Sequence, residues 1–383
     1  KRIHGWKEAH QYLRERIKEL EQGTYILNDK ITFGEFALKW LGDHAQHKRN
    51  STRESYEMIV RNHLVPALGH LRLRQINAEV IQDYYRAKLE SGRLDQEGKP
   101  TGEPLSPTTV NTHHRILRKI MSAALKAHLI HRNPTDDVDP PPKAKPKHGF
   151  LTSAQARRLL DVARERKSRY YPLYLAALTT GMRQGELLGW RWEDIDFTRQ
   201  TARVIQTLEK PGRKPVFGVT KSNAGRSIVL VQPLVEALLE WREVQEEEAR
   251  LIGPSYPNWG LVFTSPTGNP ADASTIIRRD YKPILEAAGL PNIRFHDLRH
   301  STAGILLEMG VHPKIVAEML GHSRIDVTMD TYSHATPTLQ RSAAEKLEEA
   351  LFGPKRGEGA ASIRRRGHRP SVRRQPWFDS RKH

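Results

Sequence analysis

The stretch TTGMRQGELLGW, residues 179–190, does most to define this chain. Its apolar beginning stops at Gly181, and Arg183 stands where a new helical segment starts. A guanidinium binds two oxygens of a phosphate through a planar fork, which a lysine cannot reproduce. Glu186 falls on the same helical face as Arg183, where it either orients that side chain or is a solvated charge. The stretch therefore predicts that a helix begins at Arg183 and that the Arg183 side chain can bind a phosphate.

Three further segments carry cationic, imidazole and phenol side chains. HDLRH separates His296 and Arg299 by three positions, so both face one way if the segment is helical. LGHS places His322 after Gly321, a residue that can end a helix and turn the chain. DTYSH places Tyr332 ten positions after His322. Together they supply donors for a phosphate, whose charge grows during attack at phosphorus, and a nucleophile.

Lys221 lies in VTKSNAGRSIVL, a turn-rich run between strand-like stretches. A lysine near a hairpin tip can reach into a DNA groove. If its pKa were lowered there, it could donate a proton to a departing hydroxyl. Arg226 in the same run is a competitor for this role, and a solvated lysine is the alternative interpretation of Lys221.

These motifs, in this order, resemble the tyrosine recombinase (phage integrase) family over roughly residues 30–350. The resemblance implies that Tyr332 is the nucleophile. It makes Arg183, Arg299 and His322 the ligands of the scissile phosphate. His296 would hydrogen-bond the phosphate or help take the tyrosine proton.

The resemblance also implies a function, that of a site-specific DNA recombinase (integrase) of a phage or mobile element. Such an enzyme cleaves and rejoins DNA through a 3′-phosphotyrosine, which preserves bond energy, so neither cofactor nor metal is expected. The expected partners are double-stranded DNA and three further copies in a homo-tetramer on two duplexes, with room for a host DNA-bending protein or an excision factor. A type IB topoisomerase-like enzyme and a non-catalytic DNA-binding protein stay open as alternatives.

Composition agrees with a nucleic-acid partner. The 383 residues include 62 Lys and Arg against 44 Asp and Glu, a net charge of +18, which favours nucleic acid first and an anionic membrane second. The chain has no cysteine, which excludes a disulfide scaffold and thiolate chemistry. No apolar stretch approaches the ~18 residues of a membrane span, and the start lacks a signal-peptide core. We expect a cytoplasmic protein.

The fold expected is mainly α with a small antiparallel β-sheet, in a helical core-binding domain and a mixed α/β catalytic domain. Residues 1–29 are the expected remnant of an N-terminal arm-binding region or a linker helix, since the chain opens without Met. The helical DNA-binding domain is expected over 30–134 and the proline-rich linker over 135–150. The catalytic domain follows over 151–353, and a basic, disordered tail over 354–383, with ten Lys and Arg against two acids.

Local signals predict several of the elements. Asn77 and Ser106 are expected helix caps, and Thr152 with Gln155 has the capping-box pattern. Strands are predicted at TARVIQTLEK, RSIVLV and GLVFTS. A helix predicted near residues 337–352 is expected to dock on a neighbouring protomer.

Overall fold

The computed structural model describes residues 5–21, 30–45, 50–95, 97–142, 149–210, 215–219 and 225–321, and, beyond these, 344, 347, 348, 350 and 351. Helix α1 spans Trp6–Glu21, as its amphipathic sequence predicts, and leaves Trp6, Leu13 and Ile17 exposed. Every helix in the described ranges is too short or too polar to cross a lipid bilayer.

In the helical part of the chain, the residues described over 30–142 form five helices. They are α2 (Phe33–Ala45), α3 (Asn50–Ile59), α4 (Val65–Leu68), α5 (Ala78–Ser91) and α6 (Pro107–Lys126), with a π-helical turn over Val60–Leu64 joining α3 to α4. The predicted caps are confirmed: Asn77 accepts a hydrogen bond from the Val80 amide, and Ser106 accepts one from the Thr109 amide. The apolar faces of these helices close around one core that contains Phe33, Ile81, Leu117, Ile120 and Met121.

The first residues of the expected linker over 135–150 are packed on the helical part. A 3-10 turn over Pro134–Asp137 packs on α6, and Val138 is buried in the core of the helical part. The reason is Asn133, whose amide donates to Ser122 Oγ at 2.9 Å while its oxygen accepts from the Thr135 amide at 3.1 Å. Packed structure therefore continues four residues into the stretch that the prolines had marked as linker.

Between residues 149 and 321, the described residues of the C-terminal part form eight helices. They are α7 (Ser153–Glu165), α8 (Tyr171–Thr180), α9 (Gln184–Leu188), α10 (Gln232–Ile252), α11 (Ala273–Ile276), α12 (Lys282–Ala287), α13 (Asp297–Glu308) and α14 (Pro313–Leu320). A π-helical turn over Ile277–Tyr281 joins α11 to α12. The Thr152–Gln155 capping box at the start of α7 is confirmed. Buried large side chains such as Tyr174, Trp190, Phe263 and Tyr281 fill the core.

Between α9 and α10, the residues that the structure describes form five short strands, all paired antiparallel. They are β1 (Ile195–Asp196), β2 (Thr201–Val204), β3 (Gln206–Lys210), β4 (Val216–Val219) and β5 (Arg226–Val229). They form two sheets, one in the order β1-β2-β5 and one containing β3 and β4. The single strand predicted over TARVIQTLEK is therefore split at Ile205, because β2 pairs with β5 whereas β3 pairs with β4.

The prediction of a strand at GLVFTS is wrong. Leu261 and Thr264 each form only an isolated bridge, to Arg191 and Pro270 respectively. The apolar run is nevertheless buried, and the Val262 amide donates to the Trp190 carbonyl at 2.8 Å. Burial, rather than membership of a sheet, explains its apolar composition. The predicted helix near 337–352 is described only at Ala344, Leu347, Glu348, Ala350 and Leu351, which are helical, and the basic tail lies outside the described residues.

Candidate functional site

Arg183 stands at a sharp junction between two helices. Helix α8 ends at Gly181, whose φ of 61° is left-handed, and Arg183 caps the start of α9. A side chain on Gly181 would also collide with the Leu320 side chain, because a Cβ there would lie 2.2 Å from Leu320 Cδ2. Both the backbone angle and the close approach of α14 therefore require glycine before this arginine.

The Glu186 carboxylate is buried beneath Arg183. Its Oε1 accepts from Arg183 Nη1 at 2.7 Å, and its Oε2 accepts from the Arg183 backbone amide at 3.0 Å. Arg226 Nη2 donates to the same Oε2 at 2.7 Å. Burial alone would raise the pKa of Glu186, but the hydrogen bond and charge of Arg226, with the Arg183 contacts, bring it to about 2. Glu186 is thus a charged, buried carboxylate that holds two arginines, and the solvated alternative is excluded.

Arg299 lies on α13 and is buried, at 3% exposed. Its Nη1 donates to the Gly181 carbonyl oxygen at 2.8 Å, which joins α13 to the turn that presents Arg183. Thr302 strengthens the same join, since its hydroxyl donates to the Leu178 carbonyl oxygen at 2.9 Å. The two arginines of the predicted site, 116 positions apart in the sequence (299 − 183), thus meet at one turn.

His296 stands at the start of α13, before Arg299, and its side chain is exposed at the edge of this cluster. Partial desolvation lowers the pKa of His296, and the positive charges of Arg299, Arg294 and Arg183 lower it further. The negative charge of Asp297 raises the pKa, but by less. The imidazole is therefore held mainly neutral at pH 7, in a form that can accept a proton.

The end of α14 closes the cluster. Gly321 ends this helix with a φ of 71°, as the motif predicted, and its carbonyl oxygen accepts from Arg183 Nη2 at 3.0 Å. His322 is the next residue in the sequence but lies outside the described residues, as do Lys221 and Tyr332. Of the six predicted site residues, the structure thus describes Arg183, His296 and Arg299 and brings these three together.

Arg226 has a place in the site that the sequence does not indicate. The sequence makes it only a competitor of Lys221, whereas in the structure its Nη2 donates to Glu186 and its Nε donates to the Met319 carbonyl oxygen at 3.2 Å. Glu186 and Arg226 are 40 positions apart (226 − 186), so no local spacing pattern points to their contact.

Two other tyrosines of the C-terminal part, Tyr174 and Tyr281, are buried in its core. The Tyr174 hydroxyl donates to Asp280 Oδ1 at 2.5 Å, and burial raises the pKa of Tyr174 far above its ordinary value. Tyr281 is fully buried, and its pKa is likewise raised by burial. His312 caps α14, because its Nδ1 accepts from the Lys314 amide at 3.2 Å. Within the described ranges, no three His, Asp or Glu side chains are grouped so that they could hold a metal ion.

Comparison with known proteins identifies the family. The description "Phage integrase family" matches residues 149–338, and "Phage integrase, N-terminal SAM-like domain" matches residues 32–89. A tyrosine recombinase XerC-like protein of Caldanaerobacter subterraneus is 30% identical over 365 residues, covering 90% of each chain. The chain belongs to the tyrosine recombinase (phage integrase) family. This recombinase is a site-specific DNA strand transferase, and the homologous proteins include integrases of mobile elements.

One such relative is the ICEBs1 integrase of Bacillus subtilis, 25% identical over 299 residues, with 78% of the recombinase and 77% of the relative covered. Solved structures support the fold. The Tn1549 transposon integrase in complex with transposon right end DNA matches with a TM-score of 0.66 at 22% identity, covering 82% of this recombinase and 99% of that chain. A lambda integrase dimer bound to a COC′ core site matches with a TM-score of 0.55 at 18% identity, covering 77% and 96%.

Proposed function

We propose that the recombinase cleaves DNA with Tyr332 as nucleophile and Arg183 and Arg299 as ligands of the scissile phosphate. The observation that carries this proposal is the convergence of both arginines on the turn at Gly181. Preorganised donors of this kind stabilise the charge that develops on a phosphoryl oxygen, usually the largest catalytic contribution. His322 completes the donor set in the proposal, because it directly follows the glycine whose carbonyl binds Arg183.

The proposed reaction conserves the number of phosphoester bonds. The Tyr332 oxygen attacks phosphorus, its proton passes to a base, and the 5′-oxygen leaves with a proton supplied by Lys221. A 5′-hydroxyl of the partner duplex then attacks the 3′-phosphotyrosine and releases the phenol. His296 is the candidate base, because its lowered pKa keeps the imidazole mainly neutral at pH 7. The phenol needs such help, because a free tyrosine has a pKa near 10.

Glu186 is proposed to orient Arg183 rather than to contact DNA. It is buried, at 1% exposed, and both of its oxygens are engaged by arginines or by the Arg183 amide. A carboxylate in this position holds Arg183 through one guanidinium contact and one backbone-amide contact. The five N–H donors of an arginine still leave some for phosphate.

The helical part is proposed to be a DNA-binding domain over about residues 30–138, joined by a linker to the catalytic domain. A groove between α2 and α6 supports this role. It is lined by Trp40, His44, Arg115, Arg118, Lys119 and Lys126. A row of cations along one helix face suits a polyanionic backbone, although Arg118 also pairs with Asp136 at 2.7 Å.

The proposal extends to assembly and location. A homo-tetramer on two duplexes is the expected working unit, with the helix near residues 337–352 docking on a neighbouring protomer. A host DNA-bending protein or an excision factor would set direction. A cytoplasmic location follows from DNA as substrate.

The test compares cleavage with binding. A duplex site is first selected from a random DNA library by binding to the full chain. It is then nicked near the cleavage point, so that the released fragment diffuses away and covalent complex accumulates. Arg183→Ala and Arg299→Ala should each lower single-turnover cleavage by at least ~10²-fold at saturating DNA. Arg199→Ala, at an arginine whose side chain is 84% exposed, is the matched control and should cleave normally. Near-normal cleavage by the first two variants would contradict the proposed phosphate site.

A further inference from the structure

Arg226 is a partly buried arginine that connects three elements of the site, β5, α9 and α14. Arg226 is the first residue of strand β5, and its side chain is 13% exposed. Arg226 donates to Glu186 in α9 at 2.7 Å and to the Met319 carbonyl oxygen in α14 at 3.2 Å. A Cβ built on Gly321 would lie 3.0 Å from Arg226 Nη1, so the end of α14 packs directly on this guanidinium.

The charges of Arg183, Glu186 and Arg226 do not cancel. A carboxylate paired with Arg183 alone would form a neutral pair, and the attraction of that pair for a phosphate would be weak. With Arg226 on the same carboxylate, two positive charges face one negative charge, and the three side chains together carry +1. Because Glu186 is almost fully buried, water screens these charges little, and the second arginine changes the field at the first.

The same arginine also holds the chain that leads into His322. Arg183 binds the Gly321 carbonyl and Arg226 binds the Met319 carbonyl, so the last turn of α14 is fixed by two cations that share one carboxylate. Loss of Arg226 would therefore loosen the turn before His322, and the charge of Glu186 would then cancel that of Arg183.

We propose that Arg226 is a positioning residue for DNA cleavage: it shares the Glu186 carboxylate, so that the positive charge of Arg183 toward the scissile phosphate is not cancelled. The inference rests on the proposed role of Arg183. It assigns Arg226 no contact with DNA and no proton transfer. Its effect should therefore appear in the cleavage rate at saturating DNA, and only weakly in affinity.

The test is a double-mutant cycle on the selected, nicked duplex. Arg226→Met keeps much of the side-chain volume without the charge, and should slow single-turnover cleavage by about 10- to 100-fold, less than or equal to the loss of a direct donor. Glu186→Gln alone should slow cleavage, because Arg183 loses its charged partner. Added to Arg226→Met, the same Glu186→Gln change should raise the rate by about tenfold, because the charge of Arg183 is no longer cancelled.

The reversal of sign must be separated from a change in stability, because Arg226→Met leaves a buried carboxylate short of a partner and Glu186→Gln removes that charge. Cleavage is therefore measured at a temperature at which every variant is folded, so that only the rate of folded protein is compared. Thermal unfolding of each variant monitors stability, and Arg226→Lys, which restores the charge but only a single donor group, should recover part of the rate. If Glu186→Gln slows the Arg226→Met variant further, the proposal is overturned.

An Arg183→Ala arm separates this inference from the proposed function. If Arg183→Ala cleaves normally, the phosphate site itself is wrong, and the role of Arg226 is overturned with it. If Arg183→Ala is inactive while Arg226→Met cleaves at the unaltered rate, only the role of Arg226 is overturned.

Discussion

Acidification should destabilise the helical part of the recombinase, because three histidines lie buried between α5 and its neighbours. His113 is fully buried, and its Nδ1 lies 2.8 Å from the Tyr84 hydroxyl oxygen. The ring of His63 lies 4.7 Å from that of His113, centroid to centroid. His114 Nδ1 lies 2.6 Å from the Tyr85 hydroxyl oxygen. A proton on any of these rings would place a charge in the core of the helical part.

The pKa shifts set the direction of this effect. Burial lowers the pKa of His63 to about 4 and that of His113 to about 3. The charge of Lys88 contributes to both shifts, and His63 also lowers the pKa of His113. Burial and the charge of Arg118 also lower the pKa of His114, although the charge of Asp136 raises it in part. Because the unfolded chain titrates near pH 6.5, it takes up these protons first as the pH falls. The stability is therefore fully present above about pH 6.5 and is lost as the pH falls toward the folded pKa values.

The magnitude follows from the two numerical shifts. Each of His63 and His113 makes the free energy of unfolding change by about 1.4 kcal/mol per pH unit between the unfolded and folded pKa values. Between pH 7 and pH 5 the two together should remove about 3–4 kcal/mol. A loss of that size is a large fraction of the ~5–15 kcal/mol that stabilises a typical domain.

Hydrogen exchange of the α5 and α6 amides measures this change for the helical part separately from the rest of the chain. After correction for intrinsic exchange rates, protection should fall by about 10²-fold or more from pH 7 to pH 5. His63→Phe should roughly halve the pH slope, whatever its effect on absolute stability. His70→Phe, at an exposed histidine, is the matched control and should leave the slope unchanged. Equal protection at both pH values would refute the argument.

Three further predictions concern the chemistry and the tail. Lys221→Ala should slow cleavage by ~10²–10⁴-fold on ordinary DNA, and a substrate with sulfur at the 5′-bridging position, which leaves without proton help, should restore much of the rate. An equal defect on both substrates would reassign Lys221 to DNA contact. Cleavage should survive excess EDTA, since arginines take the electrostatic role; loss with chelator and recovery with magnesium would point to metal catalysis. Deletion of residues 354–383, with ten Lys and Arg, should weaken binding to selected and random duplexes alike and flatten its salt dependence, whereas a loss confined to the selected site would indicate recognition.

Local sequence signals predicted those features of the fold that depend on contacts between residues close in the sequence. The caps at Asn77, Ser106 and Thr152 satisfy amides within three residues of the cap, so the sequence pattern contains the whole interaction. The turn at Gly181 was predictable for the same reason, because a left-handed glycine ends one helix and Arg183 starts the next.

Contacts between distant segments were not predictable in this way. Glu186 and Arg226 come from α9 and β5, and neither flanking sequence shows that they meet. The division of residues 201–210 between two sheets depends on which partner strand each half finds. Likewise, the burial of His63 against His113 arises only when the π-helical turn packs on α6.

The identity of the nucleophile is the central claim, and mapping of the covalent protein–DNA adduct tests it most directly. The full chain is incubated with the selected, nicked duplex, the denatured complex is digested with protease, and the DNA-linked peptide is sequenced by mass spectrometry. The adduct should lie on Tyr332, and Tyr332→Phe should bind the duplex with unchanged affinity but form no adduct. An adduct on another residue, or one that persists in Tyr332→Phe, would contradict the account.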